Sequence, residues 1–118
     1  MFDHVTIRVL RRAESERFYD TVLPTLGLAK THSTDHYAEW GEFSLAEESE
    51  TKPATRNLHI AFPGDDGAVR HFHDGAVAAG YRSNGGPGER ARYHPGYCAA
   101  YVLDPDGNNI EVVNHHRP

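Results

Sequence analysis

The sequence has little cysteine, no cluster of basic residues and no long apolar run. Its only cysteine, Cys98, has no partner for an intramolecular disulfide. Twelve Lys and Arg residues stand against seventeen Asp and Glu residues, and the formal net charge of -5 argues against a nucleic-acid surface. No stretch approaches the about 18 apolar residues of a transmembrane helix, and charged residues interrupt any signal-peptide core within 1–20. We therefore expect a soluble cytoplasmic protein without nucleic-acid or membrane partners.

The 118 residues are enough for one domain with its own core. The first half begins with an alternating strand pattern, "DHVTIRV", followed by helical spacing over 13–26, where Pro24 should loosen the last turn. Three short strand-like segments come next, "LAKTHST", "HYAEW" and "EFSLAEE". The polar stretch "ESETKPATRN" then predicts a linker.

The second half repeats this order. It has a strand at "NLHIAF", a helix over 65–80, a Gly- and Pro-rich loop over 81–96, and two strands joined by the turn "DPDG". Within the loop, "NGGPG" lacks the lysine of a phosphate-binding P-loop and predicts a tight turn. The repetition predicts one domain, 1–118, made of two similar modules over 1–52 and 57–118.

Three of the predicted strands each carry one potential metal ligand opposite their apolar side chains. Because side chains alternate along a strand, His4 lies opposite the apolar residues of 3–9 and His59 opposite those of 57–62. Glu111 lies opposite Ile110 and Val112 in the same way. Two imidazoles and a carboxylate directed away from the helices can hold a divalent metal with open coordination positions. Taken alone, each histidine also fits a structural or surface role, and Glu111 also fits a side chain that faces water.

Several segments along almost the whole chain follow a known family pattern: "DHVTIRV", "RFYDTVLPTLGL", "LHIAF", "FHDGAVAAG", "NGGPG" and "YHPGYCAAYVLDPDGNNIEVV". In them the chain resembles the vicinal oxygen chelate superfamily, which contains glyoxalase I, extradiol dioxygenases, fosfomycin-resistance thiol transferases and bleomycin-resistance proteins. The resemblance implies an α+β fold in which two βαβββ modules form a curved mixed-sheet cleft, the glyoxalase-like fold. It also implies that His4, His59 and Glu111 are the metal ligands, and that the protein is a homodimer.

One position departs from glyoxalase I, which has a fourth protein ligand on the last strand of its first module. The matching stretch, "EFSLAEE", presents Ser44 to the cleft, with Glu42 two residues earlier. Because a serine replaces a metal ligand poorly, the resemblance favours a set of two histidines and one carboxylate, like that of the dioxygenases and the fosfomycin-modifying enzymes. It leaves open whether one chain or two form the cleft.

Other side chains near this face are candidates for catalysis or substrate binding. His94 and Tyr97 in "RYHPGY" are residue types that transfer protons, although they can also simply order the loop. Ser44, Trp40 and Tyr93 are candidates for substrate binding, although for Trp40 a place in the core is favoured.

Two functions follow from these expectations. The first is a metal-dependent lyase, isomerase or dioxygenase that acts on a small, metal-chelating, oxygenated substrate with Fe, Mn, Ni, Zn or Co. The second is a non-catalytic protein that binds a small molecule or antibiotic in the same cleft, as the bleomycin-resistance proteins do.

Overall fold

The computed structural model describes residues 2–117, which form two helices and two four-stranded mixed sheets. The first module contains β1 Val5–Val9, α1 Arg12–Val22, β2 His32–Ser33, β3 Tyr37–Trp40 and β4 Phe43–Glu47. The second contains β5 His59–Pro63, α2 Asp66–Ala78, β6 Arg82–Glu89, β7 Cys98–Leu103 and β8 Asn109–Asn114.

Both modules have the same topology. The strand orders are β1-β4-β3-β2 and β5-β8-β7-β6, in which β1/β4 and β5/β8 are parallel and the other pairs antiparallel. This confirms the predicted α+β fold of two βαβββ modules. The module boundaries at 52 and 57 stay a prediction. The segment between β4 and β5 has no helix or strand, but it is anchored, since Ala54 is buried and the Thr55 hydroxyl accepts a hydrogen bond from the Arg8 amide.

The apolar side chains of the two modules meet in one core. Phe43 of β4 packs edge-to-face on Phe62 of β5, with ring centroids 5.6 Å apart. Phe18 of α1 makes a similar contact, at 4.8 Å, with Tyr81, which follows α2. The buried cluster draws on both helices and both sheets. Since aromatic side chains bury large apolar areas, this shared core joins the two modules.

The two helices begin differently: α2 is capped by a residue next to it in sequence, whereas the first amide of α1 binds a side chain from a distant strand. Asp65 caps α2 because its carboxylate accepts a hydrogen bond from the Ala68 amide. The first amide of α1, at Arg12, instead donates to the Glu47 carboxylate of β4 at 3.0 Å. The chain loosens into a 3₁₀ helix over Leu23–Leu26, with Pro24 in its first turn, as predicted.

Two predicted elements were wrong in extent or type. Only His32–Ser33 of "LAKTHST" forms a strand. The predicted tight turn at "NGGPG" is instead part of β6, an edge strand whose pairing with β7 shifts register twice between Ser83 and Gly88. Glycine has low strand propensity, so pairing with β7 rather than local sequence determines this strand. No helix within residues 2–117 is long and apolar enough to cross a membrane.

Candidate functional site

The second sheet presents a polar cluster on its outer face, the face opposite α2. Ile110 and Val112 of β8 enter the core, which places Glu111 between them on the outer face. Across the sheet, Glu111 is flanked by Ala61 of β5 and Tyr101 of β7. The alternation in the sequence therefore predicted the orientation of Glu111 correctly.

The Glu111 carboxylate is buried, at 1% exposure, and both of its oxygens have partners. His59 Nε2 lies 2.7 Å from Oε1, and the Tyr97 hydroxyl donates to Oε2 at 2.5 Å. The His59 side chain is 56% exposed, so it lies between the carboxylate and solvent. A buried carboxylate without partners would cost several kcal/mol, roughly, and these two contacts remove most of that cost. The outer face of the second sheet thus holds a row of three side chains, His59 of β5, Glu111 of β8 and Tyr97 just before β7.

The turn "DPDGN" positions this row. Asp104 Oδ1 accepts the amides of Asp106 and Asn108 at 2.9 Å, and Oδ2 accepts the Tyr19 hydroxyl at 2.7 Å. The Asn108 side chain accepts the Leu58 amide and donates to the Thr55 carbonyl, both at 3.0 Å. These bonds join the start of β8 to the residue just before β5. The turn therefore aligns the two strands that carry Glu111 and His59.

A cavity of about 400 Å³ adjoins this row. His59 is on its wall, so the imidazole faces the cavity while the carboxylate lies behind it. The other lining residues come from β6, β7, β8 and the β6–β7 loop: Asn84, Gly85, Arg90, Arg92, Tyr93, Tyr101 and Asn109. Of the three predicted substrate-binding residues, Tyr93 alone lines this cavity.

His4, the third predicted ligand, does not join the other two. It lies just before β1, its side chain is 67% exposed, and Nδ1 is 2.8 Å from the Asp3 carboxylate. Within residues 2–117, no three His, Cys, Asp or Glu side chains lie close enough together to hold one ion. One chain thus brings together His59 and Glu111 but not the complete predicted set.

The first module has a different arrangement at the position equivalent to Glu111. Ser44 pairs with Thr6 of β1 as Glu111 pairs with Ala61 of β5. Ser44 is 1% exposed, and its hydroxyl lies 2.8 Å from the Thr6 hydroxyl and 3.3 Å from the Val5 carbonyl. Its hydrogen bonds are satisfied within the sheet. The other substrate-binding candidate of this module, Trp40, is fully buried and donates to Asp20, so its ring belongs to the core.

The predicted catalytic pair occupies the other side of the Glu111 carboxylate. Burial, and then the hydrogen bond to Glu111, raise the pKa of Tyr97 well above its usual value. The hydroxyl therefore keeps its proton and donates a hydrogen bond to the carboxylate. His94 does not line the cavity: its Nε2 lies 2.9 Å from Nδ1 of His115, and both rings contact Tyr97. No local sequence pattern indicates this packing of His115.

Cys98 lies at the start of β7, close to Asp66. Burial and the nearby Asp66 carboxylate raise the pKa of its thiol. A raised pKa suppresses the nucleophilic thiolate, so this environment does not favour a catalytic role for Cys98.

Comparisons with known proteins agree with this architecture. The profile of the Glyoxalase/Bleomycin resistance protein/Dioxygenase superfamily matches residues 1–112. The chain belongs to this superfamily. A glyoxalase/bleomycin resistance protein from Albidiferax ferrireducens T118 superposes with a TM-score of 0.80 at 28% identity, over 96% of this chain and 98% of its own. No curated protein matches the chain significantly.

Two fosfomycin resistance proteins of the superfamily share the fold at lower identity. FosX from Mesorhizobium loti gives a TM-score of 0.67 at 17% identity, covering 97% of this chain and 91% of its own. The E126Q mutant of FosX from Listeria monocytogenes gives 0.66 at 17% identity, covering 96% and 88%. That structure contains Mn(II) and 1S,2S-dihydroxypropylphosphonic acid. One protein that shares this fold thus holds a divalent metal and a small molecule.

Proposed function

We propose that this protein is a metal-dependent enzyme of the glyoxalase superfamily, with lyase, isomerase or dioxygenase chemistry on a small, metal-chelating, oxygenated substrate. His59 and Glu111 would supply two metal ligands. The observation that carries the proposal is the buried Glu111 carboxylate, which has His59 on one oxygen and Tyr97 on the other, beside a cavity. Burial of a charged carboxylate in an otherwise apolar sheet is costly, and metal coordination would offset that cost further.

The donor set suits a divalent ion. Neutral imidazole nitrogen and carboxylate oxygen together accept Fe, Mn, Ni, Zn or Co. Tyr97 would hold the second oxygen of Glu111, as outer hydrogen-bond partners of metal ligands commonly do. Mn(II) in the FosX structure supports manganese as one of the candidates.

When bound, the ion would polarise a carbonyl or stabilise negative charge that develops on a substrate oxygen. The contacts of Tyr97 give it a positioning role toward Glu111. The predicted catalytic role of His94 and Tyr97 stays a prediction, and so does the substrate-binding role of Ser44.

A second copy of the chain would complete the set. His4 is exposed, and one chain does not bring it to His59 and Glu111. In a homodimer, the first module of one copy would face the second module of the other and contribute its His4. Three protein ligands would then leave positions for water and substrate.

The alternative is a binding protein of the bleomycin-resistance type. It is favoured by the absence of a three-ligand cluster within residues 2–117 of one chain. Such a protein would take a small molecule into the cavity without chemistry. His59 and Glu111 would then contact the ligand directly or support the sheet.

The metal content of untagged protein tests the proposal. Metal-free wild type is incubated with Mn(II), Fe(II), Ni(II), Zn(II) or Co(II), freed of excess ion and analysed by mass spectrometry, with His59→Ala in parallel. His71→Ala, which changes an exposed histidine of α2, is the matched control. Near-stoichiometric metal in wild type and control, lost in His59→Ala, is expected. No retained metal in wild type would favour the binding protein.

A further inference from the structure

Two arginines of the β6–β7 region lie on the wall of the His59 cavity without acidic partners. Arg90 and Arg92 both line the cavity, and within residues 2–117 neither forms an ion pair. The chain as a whole is acidic, with a net charge of -5. In a protein with a surplus of carboxylates, two arginines that pair with none of them are available to an external anion.

Arg90 is held in place by the glycine-rich strand. Its guanidinium donates to the carbonyls of Gly86 at 2.6 Å and Gly88 at 2.8 Å. It also lies over the Tyr101 ring, 5.3 Å from the centroid. These contacts leave the other N–H groups of the guanidinium fork without a protein partner in the described structure. The side chain is therefore ordered before any ligand arrives.

The glycines of "NGGPG" make room for this arrangement. A Cβ on Gly85 would lie 2.9 Å from the Tyr101 ring and 3.2 Å from the Arg90 guanidinium, and one on Gly88 would lie 3.3 Å from that guanidinium. Gly85 also has a φ of 151°, which larger residues rarely adopt. The motif thus forms a backbone support for Arg90 rather than a turn.

Arg92 completes a cationic wall. It stacks on Tyr93, 5.0 Å from the ring centroid, and donates to the Tyr93 hydroxyl. Asn84 and Asn109, joined by a 3.0 Å hydrogen bond, add amide groups to the same lining. The nearest acid in sequence, Glu89, accepts the Gly96 amide instead. Planar guanidinium groups bind carboxylate and phosphoryl oxygens in matched pairs of hydrogen bonds.

We propose that Arg90 and Arg92 form an oxyanion subsite that binds a carboxylate, phosphate or phosphonate group of the substrate. The proposal rests on the proposed function for the role of His59, and it adds that the substrate is anionic. The oxygenated end would reach His59, and the charged end would lie against the arginines. The enzyme would thus select small acids over neutral carbonyl compounds.

Binding of simple anions to the metal-free protein tests the subsite. Inorganic phosphate, methylphosphonate and acetate are titrated separately by isothermal calorimetry, with total ionic strength held constant by sodium chloride. Saturable binding of at least one anion is expected, and the preferred anion separates a phosphoryl from a carboxylate substrate. Absence of saturable binding for all three would overturn the proposal.

Matched variants locate the binding. Arg92→Met should weaken binding of the preferred anion about tenfold, and the Arg90→Met/Arg92→Met pair should abolish it. Arg82→Met, on β6 but outside the cavity lining, is the control and should leave binding unchanged. Arg92→Met does not touch the glycine support, so it remains informative if the Arg90 variant unfolds. Equal binding by wild type and Arg92→Met, or equal weakening by the control, would contradict the assignment.

The test separates this inference from the metal proposal. Anion binding by metal-free wild type that persists in His59→Ala supports the subsite whether or not the protein retains metal. A protein that binds metal at His59 but none of the three anions would keep the proposed function and reject the anionic substrate.

Discussion

The two modules have the same strand order but different chemistry on their outer faces. At equivalent positions, the second module has Glu111 and the first has Ser44. Glu111 contacts His59 and Tyr97, whereas the Ser44 hydroxyl is satisfied by Thr6 and Val5 inside the sheet. The fold thus supplies the position twice, and within residues 2–117 only the second module combines it with a carboxylate, an imidazole and an adjoining cavity.

Loss of the carboxylate should have the largest effect. Glu111→Gln removes the charge but keeps the shape of the side chain. Loss of a residue that hydrogen-bonds to a metal ligand typically lowers metal affinity about 10- to 100-fold, and loss of the ligand itself should lower it more. Competition with a chelating dye measures this affinity. Glu16→Gln, on α1 and outside both outer faces, is the control. Unchanged affinity in Glu111→Gln would show that this carboxylate is not a ligand.

A carboxylate in place of Ser44 should destabilise the protein. Ser44→Glu would place a charge at a position with 1% exposure, where residues 2–117 supply no equivalent of Tyr97, so the free energy of unfolding should fall by about 2 kcal/mol. Urea denaturation measures it, with Ser44→Gln as the uncharged variant of similar size. If Ser44→Glu is as stable as Ser44→Gln, the outer face of the first sheet tolerates a buried charge as well as the second does, which would contradict the contrast between the modules.

Tyr97 should act through Glu111. Tyr97→Phe removes the hydrogen bond to Oε2, so metal affinity should fall about 10-fold, less than in Glu111→Gln. Tyr37→Phe is the counterpart in the first module, because the Tyr37 hydroxyl donates to Glu39 at 2.8 Å. It should leave metal affinity unchanged. An equal loss in both variants would point to a general structural effect rather than to positioning of Glu111.

The smallest effect should come from the end of the second module. A hydrogen bond with the Gly96 carbonyl, and then the Asp66 carboxylate, raise the pKa of His116 above 6.5, and His116 lowers the pKa of Asp66 below 3.8. The His116 contribution is present at low pH and lost as pH rises through its raised pKa. The Asp66 contribution is present above 3.8 and lost as pH falls through its lowered pKa.

His116→Ala should therefore lower Tm slightly at about pH 5.5, and by less at about pH 9. Differential scanning calorimetry of wild type and variant measures the difference. His71→Ala, on the exposed side of α2, is the control and should show no such pH dependence. A difference that is constant across this range would exclude an ion pair between His116 and Asp66.

Alternation predicted much of the fold and part of the site. Local periodicity sufficed for the faces of β1, β5 and β8, and hence for the positions of His59 and Glu111. It could not predict β6, because that glycine-rich strand depends on pairing with β7. Nor could it predict the contact of Tyr97 with Glu111, which requires the loop after β6 to fold back on β8. Contacts between distant segments decide both features.

The position of His4 remains the part of the site that local pattern describes least. Alternation predicts the side of the sheet on which His4 lies, but it does not predict what packs against that side. Within one chain, the His4 imidazole lies against the Asp3 carboxylate. The proposed homodimer supplies that partner, and it makes a prediction that a site within one chain does not share.

Subunit complementation tests whether two copies of the chain share one metal site. His4→Ala and Glu111→Gln proteins, each untagged and metal-free, are refolded separately and as a mixture, and their metal content is then measured. Each variant alone should bind little metal. In a mixed dimer, the intact His4 of one copy meets the intact His59 and Glu111 of the other. Each mixed dimer should therefore bind metal at one of its two sites. A mixture that binds no more metal than the separate variants would contradict a site shared between two copies.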